Sequence, residues 1–248
     1  MENQFNDYQY KEDYSYQNVV HIEDADASRR FMARVFAWMF AGLAVSSLMA
    51  YLFAFTPFQD LLRDPVTHQN TGLGTILMFA PFVFVLAISF GLNRISQPVL
   101  ALLFTLFSAI MGASLSAIFL IYSAPSILGV FITASVVFGI MAVAGYTTHQ
   151  DLTKFGALMI MGLFGLIIAS LLNMFFHGLH LDKAITYIGV IVFVGLTAYD
   201  VQRIKRLGAS AQYQGVPAGK LAIIGALTLY LDFVNLFLYL LRLFGRRR

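Results

Sequence analysis

The sequence predicts an all-α, polytopic membrane protein built from seven transmembrane helices. Three observations carry this prediction. Hydrophobic residues make up 59% of the chain and charged residues only 12%, about half the charged share of a soluble domain, which is roughly 25%. The apolar residues fall in blocks instead of alternating with polar ones, and no Asp, Glu, Lys or Arg occurs between Ile95 and Gln150. A run of that length must hold several spans in series, because one span takes about 20 residues. Helix is the required conformation, since lipid leaves each backbone N–H and C=O to be paired within its own segment.

Residues 1–28 read as a disordered cytoplasmic tail, acidic and tyrosine-rich ("MENQFNDYQYKEDYSYQ"), without helical periodicity. It is the opposite of a signal peptide's basic start and apolar core, so the first span is expected to stay as an anchor. Residues 29–248 form the transmembrane domain, with apolar segments at about 32–55, 73–92, 98–122, 126–146, 155–176, 184–200 and 221–244. Pro81 lies inside the second segment. The carbonyl it leaves unpaired is expected to be met by a neighbouring helix. The third and fourth segments are divided only by "SAPS", Ser123 to Ser126, where Pro125 favours a tight turn. Small residues such as Gly112, Ser116, Gly156, Gly162 and Gly165 would allow close helix packing. His149, His177 and His180 read as loop residues, and their spacing is weak for a metal site. No cysteine is present, which excludes disulfides, thiol nucleophiles and thiolate metal sites.

Orientation follows the Lys/Arg bias of short loops. With the N-terminus cytoplasmic, that side collects Lys11, Arg29, Arg30, Arg34, Arg94, Lys154, Arg203, Lys205, Arg206 and Lys220, and the opposite loops hold Arg63 and Lys183. One conflict follows. Seven spans place Arg242 and the closing Arg246, Arg247 and Arg248 outside, unless the last segment does not cross fully. The basic residues are juxtamembrane charges, and nothing points to nucleic acid.

The acids single out two positions. Seven lie in the tail, and Asp60, Asp64, Asp151 and Asp182 fall in predicted loops. There remain Asp200, at the end of the sixth segment in "GLTAYDVQRIKRL", and Asp232, within "LTLYLDFVNLFLYLLRLF". An acid at bilayer depth costs about 2.5–3.5 kcal/mol on insertion scales and should face a partner or water. Asp200 can reach the interface and pair with Arg203; Asp232 has apolar residues for about two turns on both sides. The polar loop joining the sixth and seventh segments lets them pack antiparallel, which would allow the two carboxyls to meet and share a proton. Such a pair is suited to a pH-sensing gate, to a proton relay, or to a hard cation. Calcium takes six to eight oxygens, so at Asp200 and Asp232 carbonyls and waters would complete its shell, with Asn235, Tyr199 and Tyr230 as candidate accessory ligands.

"AYDVQRIK" followed by "LTLYLDFVNLFLYLLRLF" resembles the Bax inhibitor-1 family of membrane proteins, and the resemblance runs from about Arg34 ("RVFAWMFAGLAVSSL") through "SFGLNRIS" to Phe244. It implies a central C-terminal helix wrapped by six others and a calcium leak controlled by pH. It further implies an aspartate latch, at Asp200 and Asp232 by motif position, and a basic latch partner near the end of the second helix, for which Arg94 stands nearest. Two departures are visible: "MFAPFVFV" lacks the acid often found in the second helix, and Val201 stands where Thr is common. The lack of a targeting signal fits a bacterial inner membrane, with an organelle membrane as the alternative.

Two other functions stay in view. A non-catalytic regulator would bind a membrane protease or another membrane partner, with the tail and basic terminus as handles. An intramembrane aspartyl protease would use the two aspartates on water, but such enzymes set the second aspartate in Gly-x-Gly-Asp, whereas Asp232 sits in "LYLD". No cofactor is expected beyond calcium or protons as the sensed or transported ions.

Overall fold

Long apolar runs with every backbone group paired inside the segment should appear as helices, and they do. The computed structural model describes residues 2–65, 67, 69–91, 95–176, 181–210 and 217–247, with side chains from Asp26 onward apart from 89–91, 174 and 210. The helices are α1 (Glu2–Phe55), α2 (Gln59–Leu62), α3 (Gly72–Gly91), α4 (Gln97–Leu115), α5 (Ile118–Ile121), α6 (Ala124–Thr147), α7 (Thr153–Phe175), α8 (Asp182–Ser210) and α9 (Ala218–Phe244). α1 takes in both the N-terminal segment and the first span, which covers Asp26–Phe55. Among the described residues six helices are long and apolar enough to cross a membrane, and α3 adds a seventh, shorter apolar stretch over Gly72–Ile88. The protein is an all-α polytopic membrane protein.

α9 is the central helix. It packs on α8, α1, α6 and α4, and 67% of its apolar window is buried, against 17% for the peripheral α7. Its buried residues include Ala222, Gly225, Ala226, Leu229, Tyr230, Asp232, Leu236 and Leu240, a distribution too wide for a helix with one lipid-facing side. The small residues at its start let α8 and α1 come close: a Cβ added at Gly225 would lie 2.9 Å from Ile204 and 3.3 Å from Val35. α3 sits outermost, packed on α4 and the short α2.

Three local features depart from or refine the segment pattern. The third segment is not one helix. α4 stops at Leu115 and α5 restarts at Ile118, where the Ser116 hydroxyl bonds the Ala113 carbonyl at 2.6 Å and competes with the helical ladder. The sixth segment does not end at residue 200; α8 continues to Ser210. Hydropathy falls there, but Gln202, Arg203, Lys205 and Arg206 are good helix formers. Pro81 lies inside α3, and the carbonyl four residues earlier, Leu77, accepts the Ser114 hydroxyl of α4 at 2.6 Å. That is the neighbouring-helix partner the proline requires.

The structure bears on the conflict at the C-terminus through the length of α9 and the contacts at its end. α9 has 27 residues, about 40 Å at 1.5 Å per residue, enough for a complete crossing. Past its end, Arg246 N–H donates to Ser126 Oγ at 2.9 Å and Ser123 N–H to the Arg246 carbonyl at 3.3 Å. The chain's end therefore lies beside the α5–α6 turn. At the other end of the bundle, Phe31 of α1 meets Gly208 of α8. Helix by helix, the last segment finishes opposite the start of the first span.

Candidate functional site

α8 and α9 are antiparallel neighbours, and each contributes one acid to their shared face. Because α8 runs ten residues past Asp200, that carboxyl sits within the helix and not at its end. It is 7% exposed, and Asp232, near the middle of α9, is 5% exposed. The two side chains interact directly. Arg203, one turn beyond Asp200 on α8, places Nη1 3.8 Å from Asp200 Oδ1 and keeps its own side chain 59% exposed. Pairing with Arg203 and meeting Asp232, two readings of Asp200 from sequence, thus hold together.

The electrostatics of the pair are asymmetric. Asp200 has a cation on the side toward the helix end, whereas Asp232 Oδ2 is buried with no hydrogen-bond donor among the described residues. The group facing Asp232 is a second carboxyl, and two carboxylates offer only acceptors. A hydrogen bond across the pair forms only with one proton between them. With both charged, the pair repels in a medium that screens poorly. Near the end of α8 lies a cavity of about 190 Å³ lined by Thr153, Tyr199, Gln202, Arg203, Arg206 and Leu207; of these, Arg203 borders Asp200.

The end of α8 is held in place by a clamp that hydropathy could not reveal. Gln202, 6% exposed, accepts the Leu152 N–H at 2.9 Å and donates to the Gln150 carbonyl at 2.8 Å. Arg206 reaches Asp151 at 2.9 Å and Gln202 Oε1 at 2.9 Å, and Lys205 donates to the Tyr146 carbonyl at 2.8 Å. In the sequence these residues look like ordinary topological charges. Here they tie the α6–α7 turn to the helix that carries Asp200.

The accessory groups are engaged elsewhere. Tyr230 bonds Ser46 of α1 at 2.7 Å, and Ser46 donates to the Ser108 carbonyl of α4 at 2.7 Å. This polar knot joins α9 to α1 and α4; two positions from Asp232 along a helix is the opposite face. Tyr199 lays its ring against Gly156 of α7. Asn235 donates to the Leu231 carbonyl of its own helix at 2.8 Å. Arg94, the expected latch partner, and His177 and His180 lie outside the described residues. Among the described residues no three or more His, Cys, Asp or Glu side chains come together, so a calcium ion at Asp200 and Asp232 would take its further oxygens from carbonyls and water.

Residues 28–248 match the family described as inhibitor of apoptosis-promoting Bax1. The chain is 44% identical to an uncharacterised protein of Borreliella burgdorferi over 220 residues, 88% of this chain and 93% of that one. It is 43% identical to the inner membrane protein YbhL of Escherichia coli K12 over 220 residues, 88% of this chain and 92% of the relative. Similarity to a protein of Rickettsia prowazekii is 41% identity over 89% of this chain and 91% of that protein.

Proposed function

The chain belongs to the Bax inhibitor family, and from that premise we propose that it is a pH-sensitive calcium leak gated by the Asp200–Asp232 pair. The observation that carries the proposal is the meeting of two buried carboxyls, one without a donor among the described residues, between the central helix and α8. While the pair holds a proton, a hydrogen bond joins α8 to α9 and the path is closed. Once both groups are charged they repel, and the charged neighbour recorded at the pair, Arg203, compensates Asp200 alone. Opening therefore increases as pH rises. Arg203, beside Asp200 and 59% exposed, marks the side of the pair nearest water. The role is that of a gate and not a catalyst: Leu231 and Phe233 flank Asp232, with no glycine to bring a peptide backbone close.

The N-terminus is cytoplasmic in this proposal, by the loop charges, and the membrane is a bacterial inner membrane, as for the relative YbhL. A second reading, a regulator that binds a membrane protease or another membrane protein, draws support from the matched family's description as an inhibitor.

The test is reconstitution into liposomes loaded with a calcium dye and assayed over a pH series. Wild-type flux is expected to rise with pH, and Asp200→Asn and Asp232→Asn should each change the flux and flatten its pH response. Unchanged profiles in both variants, with the protein folded, would remove the gate. Absence of flux in the wild type alongside capture of a membrane protein would favour the regulator.

A further inference from the structure

α1 and α6 both pack on α9, yet an interval remains between them. One cavity of about 330 Å³ there is lined by residues including Ser47 and Ala50 of α1, Phe131 of α6, and Phe233, Val234 and Phe237 of α9. A second, of about 390 Å³, is lined by Phe40 and Ala44 of α1, Ser135 and Gly139 of α6, and Phe233. Leu43, Ser47, Phe131 and Phe233 belong to both, so the two adjoin along a slot with α9 as its floor, narrowed where Phe131 packs edge to face on Phe233. Its wall on α1 runs from Phe36 to Ala50, about 21 Å at the helical rise, within a hydrocarbon layer of about 30 Å.

The wall contains no charged side chain. Of its hydroxyls, Ser46 is bonded to Tyr230 and the Ser108 carbonyl, and Ser135 to the Phe131 carbonyl. A Cβ added at Gly139 would meet nothing within 4 Å, so the slot is open there. Its rim residues Phe40 and Leu128 are exposed and continue into Ile132 and Val136, the apolar surface that α1 and α6 present to lipid.

We propose that this slot holds one acyl chain of a bilayer phospholipid, lying between α1 and α6 against α9. Wall chemistry excludes an ion or a headgroup, because a charge placed there would lose its hydration without a partner. Left empty, the lining would forfeit dispersion contacts, and the slot opens directly onto the membrane that can fill it. The proposal stands apart from the gate, since Asp200 and Asp232 line neither cavity.

Full-length protein in vesicles of phosphatidylcholine bearing a diazirine on one acyl chain tests this by photolabelling and peptide mapping. Adducts are expected on Phe233, Val234 and Phe237, which are buried and which annular lipid does not reach. Ser47→Leu and Gly139→Leu, which fill the slot, should each lose these adducts while Ile132 and Val136 remain labelled and the melting temperature holds. Wild-type labelling confined to Phe40, Leu128 and Ile132 overturns the proposal, as do floor adducts that persist in both filled variants. A disulfide-linked dimer through Ser47→Cys, the sole thiol in a cysteine-free chain, with an unlabelled floor, assigns the slot to a second copy and also overturns it.

Discussion

Asp151 shows how surroundings decide what a carboxyl does. It lies in the α6–α7 turn, accepting the Thr153 hydroxyl at 2.6 Å, the Thr153 N–H at 3.0 Å and the Arg206 guanidinium at 2.9 Å. Chiefly through Thr153, then Arg206, its pKa is held down from 3.8 to about 2. A carboxyl depressed in the folded state contributes stability above its unfolded pKa and loses it as pH falls through the folded one. The Asp151 contribution to the clamp should therefore be intact above about pH 4 and lost near pH 2, while the Gln202 and Lys205 bonds persist. Titration of the Asp151 carboxyl by NMR is expected to centre near 2, with Thr153→Ala raising the midpoint more than Arg206→Gln. A midpoint near 3.8 in the wild type would refute the Asp151 contacts with Thr153 and Arg206. In the sequence Asp151 was one loop acid among several; its partners come from Thr153 two residues on and from α8, over 50 residues away, and no local pattern announces the second.

At the scale of elements, the packing of α1 on α4 rests on missing side chains. A Cβ at Gly112 would lie 2.3 Å from the Ser46 carbonyl oxygen, whereas one at Gly165 on α7 meets nothing within 4 Å. Gly112→Ala should accordingly destabilise by about 1–3 kcal/mol, the range for overpacking. Gly165→Ala should be neutral or gain up to about 1 kcal/mol from helix propensity. Thermal unfolding in detergent checks both, and equal effects would contradict the geometry. Sequence offered both glycines as close-packing sites on the same grounds; only the neighbouring helix separates them. The Pro81–Ser114 pairing gives a second test. Ser114→Ala should cost about 0.6–1.7 kcal/mol by leaving the Leu77 carbonyl unpaired, and little in a Pro81→Ala background, where the helix supplies its own donor. Additive effects in that double-mutant cycle would show that Ser114 does not serve Pro81.

For the whole molecule, the order of helices sets which ends are close. The start of the α1 span meets the end of α8 at Gly208, and the residues after α9 bond to Ser123 and Ser126 beyond α5. Single cysteines replacing Arg30 and Arg247 should react with a membrane-impermeant maleimide from opposite faces of an oriented vesicle. Labelling of both from one face would mean that α9 does not cross. The terminal arginines had made this uncertain in sequence, because charge bias counts residues and does not see a 27-residue helix packed on four others.

Composition and hydropathy by themselves determined that this is a helical membrane protein, roughly where its spans lie, and that Asp200 and Asp232 need a partner. They sufficed because lipid imposes one rule on the whole segment: pair the backbone, and keep charge out. Tertiary structure alone decided that α8 outruns its hydropathy, that Tyr230 turns to Ser46 and Asn235 to Leu231, and that the two aspartates face one another. Those outcomes depend on which helix lies alongside, a relation between residues distant in sequence, and the bilayer does not write it into any single segment.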